Sequence, residues 1–260
     1  FAGGDDGLGD AEFARPVLED GQVVVLAERV EGNPQAETLR DLELGFKLQG
    51  AAFKLDINGY WMNYKNQLIL TGQLNDVGNP IRTNVPQSYR AGVEIELATQ
   101  LSKAFRWNVN ATLSQNKINN FSEYVPNYDT GVDKVNTYSK ADIAFSPNVI
   151  IGSQLLYLPS KTVELALLTK YVGKQYLDNT SNNSRFIDAY LTNDFRAIYH
   201  LNPSWSKGIT LSLLVNNVFN TLYSSNGYTY SYIYDNQLTT ENFYYPQAGT
   251  NFLLGVGLKF

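Results

Sequence analysis

The sequence predicts an all-β fold, an antiparallel transmembrane β-barrel of which about nine strands lie in this chain. Three observations carry that expectation. Apolar/polar alternation recurs nine times, the connections between the alternating stretches are short and long by turns, and the last stretch ends on an aromatic residue, Phe260. Alternation with period two describes a strand whose two faces differ in chemistry.

In chain order, Leu42, Leu44, Phe46 and Leu48 oppose Asp41, Glu43, Gly45 and Lys47. Phe53, Leu55, Ile57 and Trp61 oppose Lys54, Asp56, Asn58 and Tyr60, and Tyr89, Ala91, Val93, Ile95 and Leu97 oppose Arg90, Gly92, Glu94 and Glu96. The clearest stretch sets Phe105, Trp107, Val109, Ala111 and Leu113 against Arg106, Asn108, Asn110, Thr112 and Ser114. Weaker versions run through 148–158, 163–174, 190–201 and 208–219. In the closing strand Phe252, Leu254, Val256, Leu258 and Phe260 alternate with Asn251, Leu253, Gly255, Gly257 and Lys259. Each stretch has about ten residues or more, the length a tilted strand needs to cross a bilayer.

A soluble sandwich would show much the same polar face, so the faces alone leave both folds open. The connections decide. Short turns fall near 49–52, 99–104, 159–162 and 202–207, and long connections at 66–88, 115–147, 175–189 and 220–250. Antiparallel strands with periplasmic turns on one side and extracellular loops on the other must alternate in this way, whereas a sandwich has no reason to. Counting back from a periplasmic C-terminus, the strand at 41 enters from outside. Residues 1–40 are then the end of a preceding strand and an extracellular loop, and 41–260 are the C-terminal transmembrane strands. Single-chain bacterial barrels normally have an even strand number. Nine therefore implies a missing remainder, or a further strand in 1–40, where Gln22-Val-Val-Val-Leu26 is the only candidate.

Composition narrows the function classes. Without cysteine there is no disulfide framework, thiol nucleophile or Cys-based metal site, and a single histidine excludes a His-rich one. A net charge of −5 argues against nucleic acid. Charged residues make up only 17% of the chain while aromatics reach 13%, an unusual balance for a soluble protein. No run of about 18 apolar residues exists, so no transmembrane helix is expected, and a barrel does not need one.

The end of the chain resembles the C-terminal signal read by barrel-assembly machinery: Gly255, Leu258 and Phe260 fit it, while Leu253 stands where a polar residue is usual. Val215-Asn-Asn-Val-Phe-Asn-Thr-Leu-Tyr223 resembles the "NLFN…Y" signature on the penultimate strand of TonB-dependent outer-membrane receptors. Phe13-Ala-Arg-Pro16, followed by Asn33-Pro34, Glu37-Thr38 and Leu42-Glu-Leu-Gly45, resembles their "FRAP … NP.L.PE … YELG" segment, with the second and third letters exchanged. Ser88-Tyr-Arg-Ala-Gly-Val-Glu94 and Tyr171-Val-Gly-Lys-Gln-Tyr-Leu-Asp-Asn179 are similar to the Bacteroidetes branch of that family. The resemblance covers roughly 10–260. It implies the C-terminal part of a barrel of about 22 strands, a size known for plugged outer-membrane transporters. It also implies outer-membrane lipid and the assembly machinery as partners, and the TonB complex acting through a plug that this sequence does not contain. Residues 1–12 match nothing in it.

The Tyr-rich connection at 220–250 is the best ligand candidate. Tyr223, Tyr228, Tyr230, Tyr232, Tyr234, Tyr244 and Tyr245 lie in it, and tyrosine offers rigid contact area with a hydroxyl at low entropic cost. The competing reading is that the run extends the flanking strands or forms an aromatic girdle. His200 falls near the periplasmic end of its strand, away from any surface binding site, so haem is disfavoured. Asp76, Asp129, Asp133, Asp178 and Asp188 lack EF-hand spacing and read as solvated loop acids, with no metal or other cofactor expected. Asn179-Thr-Ser and Asn182-Asn-Ser match the glycosylation sequon by chance. The leading expectation is a non-enzymatic uptake receptor for a scarce small molecule, a ferric siderophore or similar chelate. A stand-alone pore or structural barrel is the alternative, and a barrel hydrolase is weaker, since no Ser or Asp is spaced to meet the lone His.

Overall fold

The computed structural model describes residues 16–19, 22–25, 36–74 and 77–260. Two compact units are present, 1–35 and 36–260. In the first, β1 (Pro16–Glu19) and β2 (Gln22–Val25) pair antiparallel, Pro16 opposite Val25 and Glu19 opposite Gln22. The stretch at Gln22 is thus a strand, but its partner is β1 in a two-stranded sheet of its own, and it adds nothing to the main sheet. Residues 1–12, Phe13-Ala-Arg15 and Asn33-Pro34 lie outside the described residues.

The second unit is a wall of strands in sequence order: β3 (Thr38–Gln49), β4 (Phe53–Leu74), β5 (Pro80–Gln100), β6 (Phe105–Val125), β8 (Val149–Tyr157), β9 (Val163–Val172), β12 (Tyr190–Leu201), β13 (Gly208–Asn216) and β16 (Asn251–Lys259). β7 (Lys134–Asp142) pairs with the upper part of β6, whose lower part pairs with β8. These nine wall strands are the nine alternating stretches of the sequence, each antiparallel to its neighbours. Their tight turns, 50–52, 101–104, 158–162 and 202–207, all fall at one end.

Register shows why the alternation reads as it does. Directly paired residues share a face. Leu55, Leu97 and Val109 follow one another across β4, β5 and β6, as do Ile57, Ile95 and Ala111. At both margins the odd rows meet even ones: Leu42 pairs with Trp61 and Phe46 with Ile57, while Val215 pairs with Phe252 and Leu211 with Val256. The parity reversal in 42–48 and 252–260 therefore keeps one face apolar from edge to edge. That face is not covered by protein, for Leu44 is 82% exposed and Leu254 71%. In water so large an apolar surface would aggregate; facing lipid it is solvated. Ser153, Thr169 and Asn193 interrupt it towards the upper end, but they are partnered, Trp107 Nε1 donating to Ser153 Oγ (2.9 Å) and Thr169 Oγ1 to Asn193 Oδ1 (2.7 Å).

The opposite face is polar. Lys54 Nζ lies 2.6 Å from Asp56, Arg90 Nη1 donates to Asn116 Oδ1 and Ser146 Oγ, and Asn108 Nδ2 donates to Gln154 Oε1. Gly92 lets the Tyr60 ring lie flat on this face, since a Cβ there would sit 2.7 Å from the Tyr60 hydroxyl and 2.6 Å from the Leu113 carbonyl. At Gly255 a Cβ would collide with Ser212 Oγ.

The main departure from expectation is above the wall. Segments 66–88 and 115–147 are not open loops: β4, β5 and β6 continue well past the bilayer length, and β7 adds a fourth layer of pairing. The odd/even rule stops where Asn66 (φ 55°) and Asn120 (φ 59°) take the left-handed conformation and Pro86 interrupts β5. Beyond them odd-numbered Ile69, Val85, Phe121 and Ile143 join even-numbered Ile118 in one buried cluster. Asparagine tolerates positive φ better than most residues, so these positions can turn the faces over without breaking the ladder.

Phe260 ends the apolar row of β16 at 77% exposure, so burial against protein contributes nothing to keeping it. If the end of the chain acts as the assembly signal it resembles, deleting Phe260 should lower the outer-membrane level of the protein by more than the roughly 2 kcal/mol of lipid burial it loses. Quantifying the barrel in isolated outer membranes checks this; normal levels would contradict it.

Candidate functional site

The four long connections meet above the wall and lock one another. Of these, 217–250 carries the hairpin β14 (Ser224–Tyr234) and β15 (Gln237–Pro246). Its turn residues Asp235 (φ 50°) and Asn236 (φ 56°) both sit in the left-handed region, as a two-residue type I′ turn requires. The Asp129 carboxylate, from the connection after β6, accepts both turn amides, from Asp235 at 2.8 Å and Asn236 at 2.7 Å. The adjoining Pro126 carbonyl and Tyr128 amide pair with Ile233.

Alternation in β14 sorts its residues. Gly227, Thr229 and Ser231 are buried against the protein, so Tyr228, Tyr230, Tyr232 and Tyr234 project from the other side. Phe243 and Tyr245 of β15 share that side: Tyr228 stacks on Phe243 (4.7 Å, 13°) and lies 6.2 Å from Tyr245. Tyr230 and Tyr232 are 5.4 Å apart, Tyr128 meets Tyr232 edge-on at 6.0 Å, and the Tyr128 and Tyr230 hydroxyls are 2.6 Å apart. The Tyr128 hydrogen bond, reinforced by burial, pushes the Tyr230 phenol up to about 12.

Of the seven tyrosines singled out by sequence, Tyr228, Tyr230, Tyr232, Tyr234 and Tyr245 thus form one aromatic platform. Tyr244 lies on the opposite side and donates to the Phe186 carbonyl (3.0 Å), and Tyr223 stacks on Tyr190 at the hairpin's foot (4.5 Å, 29°). Those two hold the hairpin in place. Tyr128, from another connection, belongs to the platform and carried no signal in the sequence. His200 is at the end with the tight turns, its Nδ1 3.2 Å from Thr210 Oγ1.

Beneath the platform lies an ionic lock. Arg185 Nη1 pairs with Glu123 of β6 and, at 2.8 Å, with Asp178, and its side chain is only 4% exposed. Glu123 also accepts from Asn136 (3.1 Å) and Tyr138 (2.8 Å). Burial alone would raise the Glu123 carboxyl, but the Arg185, Asn136 and Tyr138 hydrogen bonds and the Arg185 charge outweigh it and hold it below its usual 4.5. Burial, with the Glu123 carboxylate beside it, pushes the Tyr138 phenol up to about 12. Asn179 is fully buried, accepting from the Ala144 amide (2.8 Å) and donating to the Leu70 carbonyl (2.6 Å), so its sequon is sealed. Segment 173–189, with its short pair β10 (Gln175–Tyr176) and β11 (Phe186–Ile187), is stitched to β4, β6 and β7. Asp129 and Asp178, read as solvated acids, are both committed to protein partners.

A wall with one lipid-compatible face and one polar face, tight turns at one end and folded connections at the other, is that of a bacterial outer-membrane barrel of the receptor type. The family described as TonB dependent receptor-like, beta-barrel, matches residues 15–218, and the chain belongs to that family. Its place is the bacterial outer membrane. The fold is similar to the ferric-catecholate import receptor Fiu of E. coli K12 (TM-score 0.59, 18% identity, 86% of this chain and 28% of that one). It is also similar to the siderophore receptor PiuA of Acinetobacter baumannii (0.57, 14%, 85% and 28%) and the ferric yersiniabactin uptake receptor FyuA of Yersinia pestis (0.55, 19%, 85% and 29%). The chain thus spans less than a third of those receptors. Comparison with curated sequences gave no match.

Proposed function

We propose that this chain supplies wall strands and surface connections of a receptor that takes up a scarce small ligand, a ferric siderophore or similar chelate. The aromatic platform is part of its capture surface. The observation that carries this is the fixing of Tyr128, Tyr228, Tyr230 and Tyr232 by contacts between two connections, because a preorganised aromatic surface binds at a lower ordering cost. Membership of the family and its structural likeness to siderophore receptors support the ligand class. On this reading 41–260 are the C-terminal strands of a barrel of about 22 strands. A plug elsewhere in the polypeptide couples to TonB, and the assembly machinery recognises Gly255, Leu258 and Phe260.

Replacing Tyr228, Tyr230, Tyr232 and Tyr245 by serine, with Thr229 and Ser231 kept, should weaken binding of the cognate ferric chelate at least tenfold, at roughly 1 kcal/mol per aromatic contact. Heat-resistance of the barrel on gels should not change. The test is cell-surface binding across a panel of labelled ferric chelates. Undiminished binding would move the site to other connections or to the plug. The alternative, a stand-alone pore, is separated by mass: a native polypeptide near three times this length is expected, and one of 260 residues would sink the receptor reading.

A further inference from the structure

The aromatic platform contains one ionic side chain, and its position selects the charge of a ligand. Paired residues of β14 and β15 share a face, so the register sets Glu241 opposite Tyr230, between Phe243 and Thr239 on the platform side. Glu241 is exposed, and the Tyr232 hydroxyl donates to its Oε1 at 3.4 Å. No cation lies within ion-pair distance of it among the described residues. Asn226, Gln237 and Thr239, the other polar residues on this face, are uncharged.

The surroundings add negative charge. Between Lys207 and Lys259 the sequence has no lysine, arginine or histidine. The hairpin turn supplies Asp235, and the connection packed against it supplies Asp129, whose carboxylate accepts from two neutral amides that do not cancel its charge. Cations of the adjoining connections are directed elsewhere. Arg185 is buried in its pair with Glu123 and Asp178. Lys174 Nζ lies 4.3 Å from the Phe186 ring, on the side of the hairpin to which Tyr244 points. Lys134 shares a strand face with Asn136 and Tyr138, whose side chains reach Glu123, and Arg82 pairs with Leu70 on the strand face opposite buried Ile69. Ring faces attract cations through their quadrupole, and an adjacent carboxylate strengthens that attraction. Tyr230 and Tyr232, 5.4 Å apart with Glu241 beside them, make a seat for an ammonium group. Iron chelates differ in this respect. Three hydroxamates neutralise ferric iron, and a free amine on the chelator then makes the complex a cation. Three catecholates, each doubly deprotonated, leave a triple negative charge that Glu241, Asp235 and Asp129 repel.

We propose that Glu241 sets the specificity of the platform, an inference that rests on the uptake reading. The ligand is a ferric hydroxamate chelate with a protruding ammonium group, held against Tyr230, Tyr232 and the Glu241 carboxylate. Its aliphatic part lies along Tyr228, Phe243 and Tyr245, and tricatecholates are rejected by charge.

The test measures binding of radio-iron complexes to cells carrying the intact receptor, at low ionic strength because salt screens exposed charges. The probes are ferrioxamine B, a trihydroxamate complex with a free ammonium, its N-acetylated form, in which that charge is gone, and ferric enterobactin, a tricatecholate. Wild type should bind ferrioxamine B about tenfold tighter than the acetylated form, through an exposed ion pair and a cation–ring contact together, and ferric enterobactin weakest of the three. Glu241→Gln should bind the two hydroxamates alike while the barrel keeps its heat-resistance, and Glu241→Asp should recover part of the preference. Equal affinity of wild type for the two hydroxamates would overturn the proposal, as would an unchanged preference in Glu241→Gln. Tight binding of ferric enterobactin that is lost in the four-serine platform variant would overturn the charge selection and leave the uptake reading standing. Binding of none of the three would overturn the proposal, and the uptake reading with it if no other chelate of the panel binds.

Discussion

Val109→Arg should block assembly of the barrel, while Asn108→Arg one residue away should be tolerated. Val109 lies on the lipid-facing side in the row with Leu55 and Leu97, and Asn108 on the polar side in the row with Ala98 and Gln154. An arginine on the lipid face costs about 2–4 kcal/mol near the bilayer midplane, whereas on the wet face it displaces only water and one hydrogen bond, that of Asn108 to Gln154. Heat-modifiability on gels and the amount of folded protein in outer membranes report the difference. Equal tolerance at the two positions would mean that the faces are misassigned.

The second large effect is expected at Arg185. Arg185→Ala leaves Glu123 and Asp178 buried without their cation, and breaking a buried pair in this way costs about 3–5 kcal/mol. The loss should be local, because wall strands are held by their own ladders. Segment 173–189 should come free of β6 and β7 while the barrel stays heat-resistant. With no native cysteine in the chain, a spin label at Asp188→Cys reads this directly as a sharpened spectrum. Acid should do the same to the wild type. Glu123 titrates lower in the folded protein than in the unfolded chain, so its contribution is complete above 4.5 and is lost as pH falls through the lower folded value. The label should therefore stay immobile at neutral pH and loosen in strong acid. A spectrum insensitive to both Arg185→Ala and acid would show that the lock holds nothing.

The wall was legible because lipid imposes a rule on every second residue, and the register repeats that rule from strand to strand. Even the parity reversal at 42–48 and 252–260 could be read, since Leu42 opposite Trp61 and Phe252 opposite Val215 follow from the apolar pattern alone. Above the bilayer the rule lapses. Gln67 and Ser88, or Asn116 and Ile118, can be buried together there because protein rather than lipid covers them. A polar stretch such as 115–125 then looks like a loop although β6 runs through it. Asp235-Asn236 between the alternating residues of β14 and β15 is a hairpin signal in itself, masked by the tyrosines on either side. Glu123 and Arg185 stand 62 positions apart, and nothing local marks either as the other's partner. Tyr128 joined the platform in the same unheralded way.

The central claim is that one face of these strands meets lipid and the other water. Single cysteines from 105 through 113, spin-labelled in the polypeptide as the cell makes it and set in a bilayer, test that claim most directly. Collision with oxygen, which concentrates in lipid, should peak at 105, 107, 109, 111 and 113. Collision with a water-soluble nickel chelate should peak at 106, 108, 110 and 112. A profile without period two, or nickel access equal on both faces, would contradict the account.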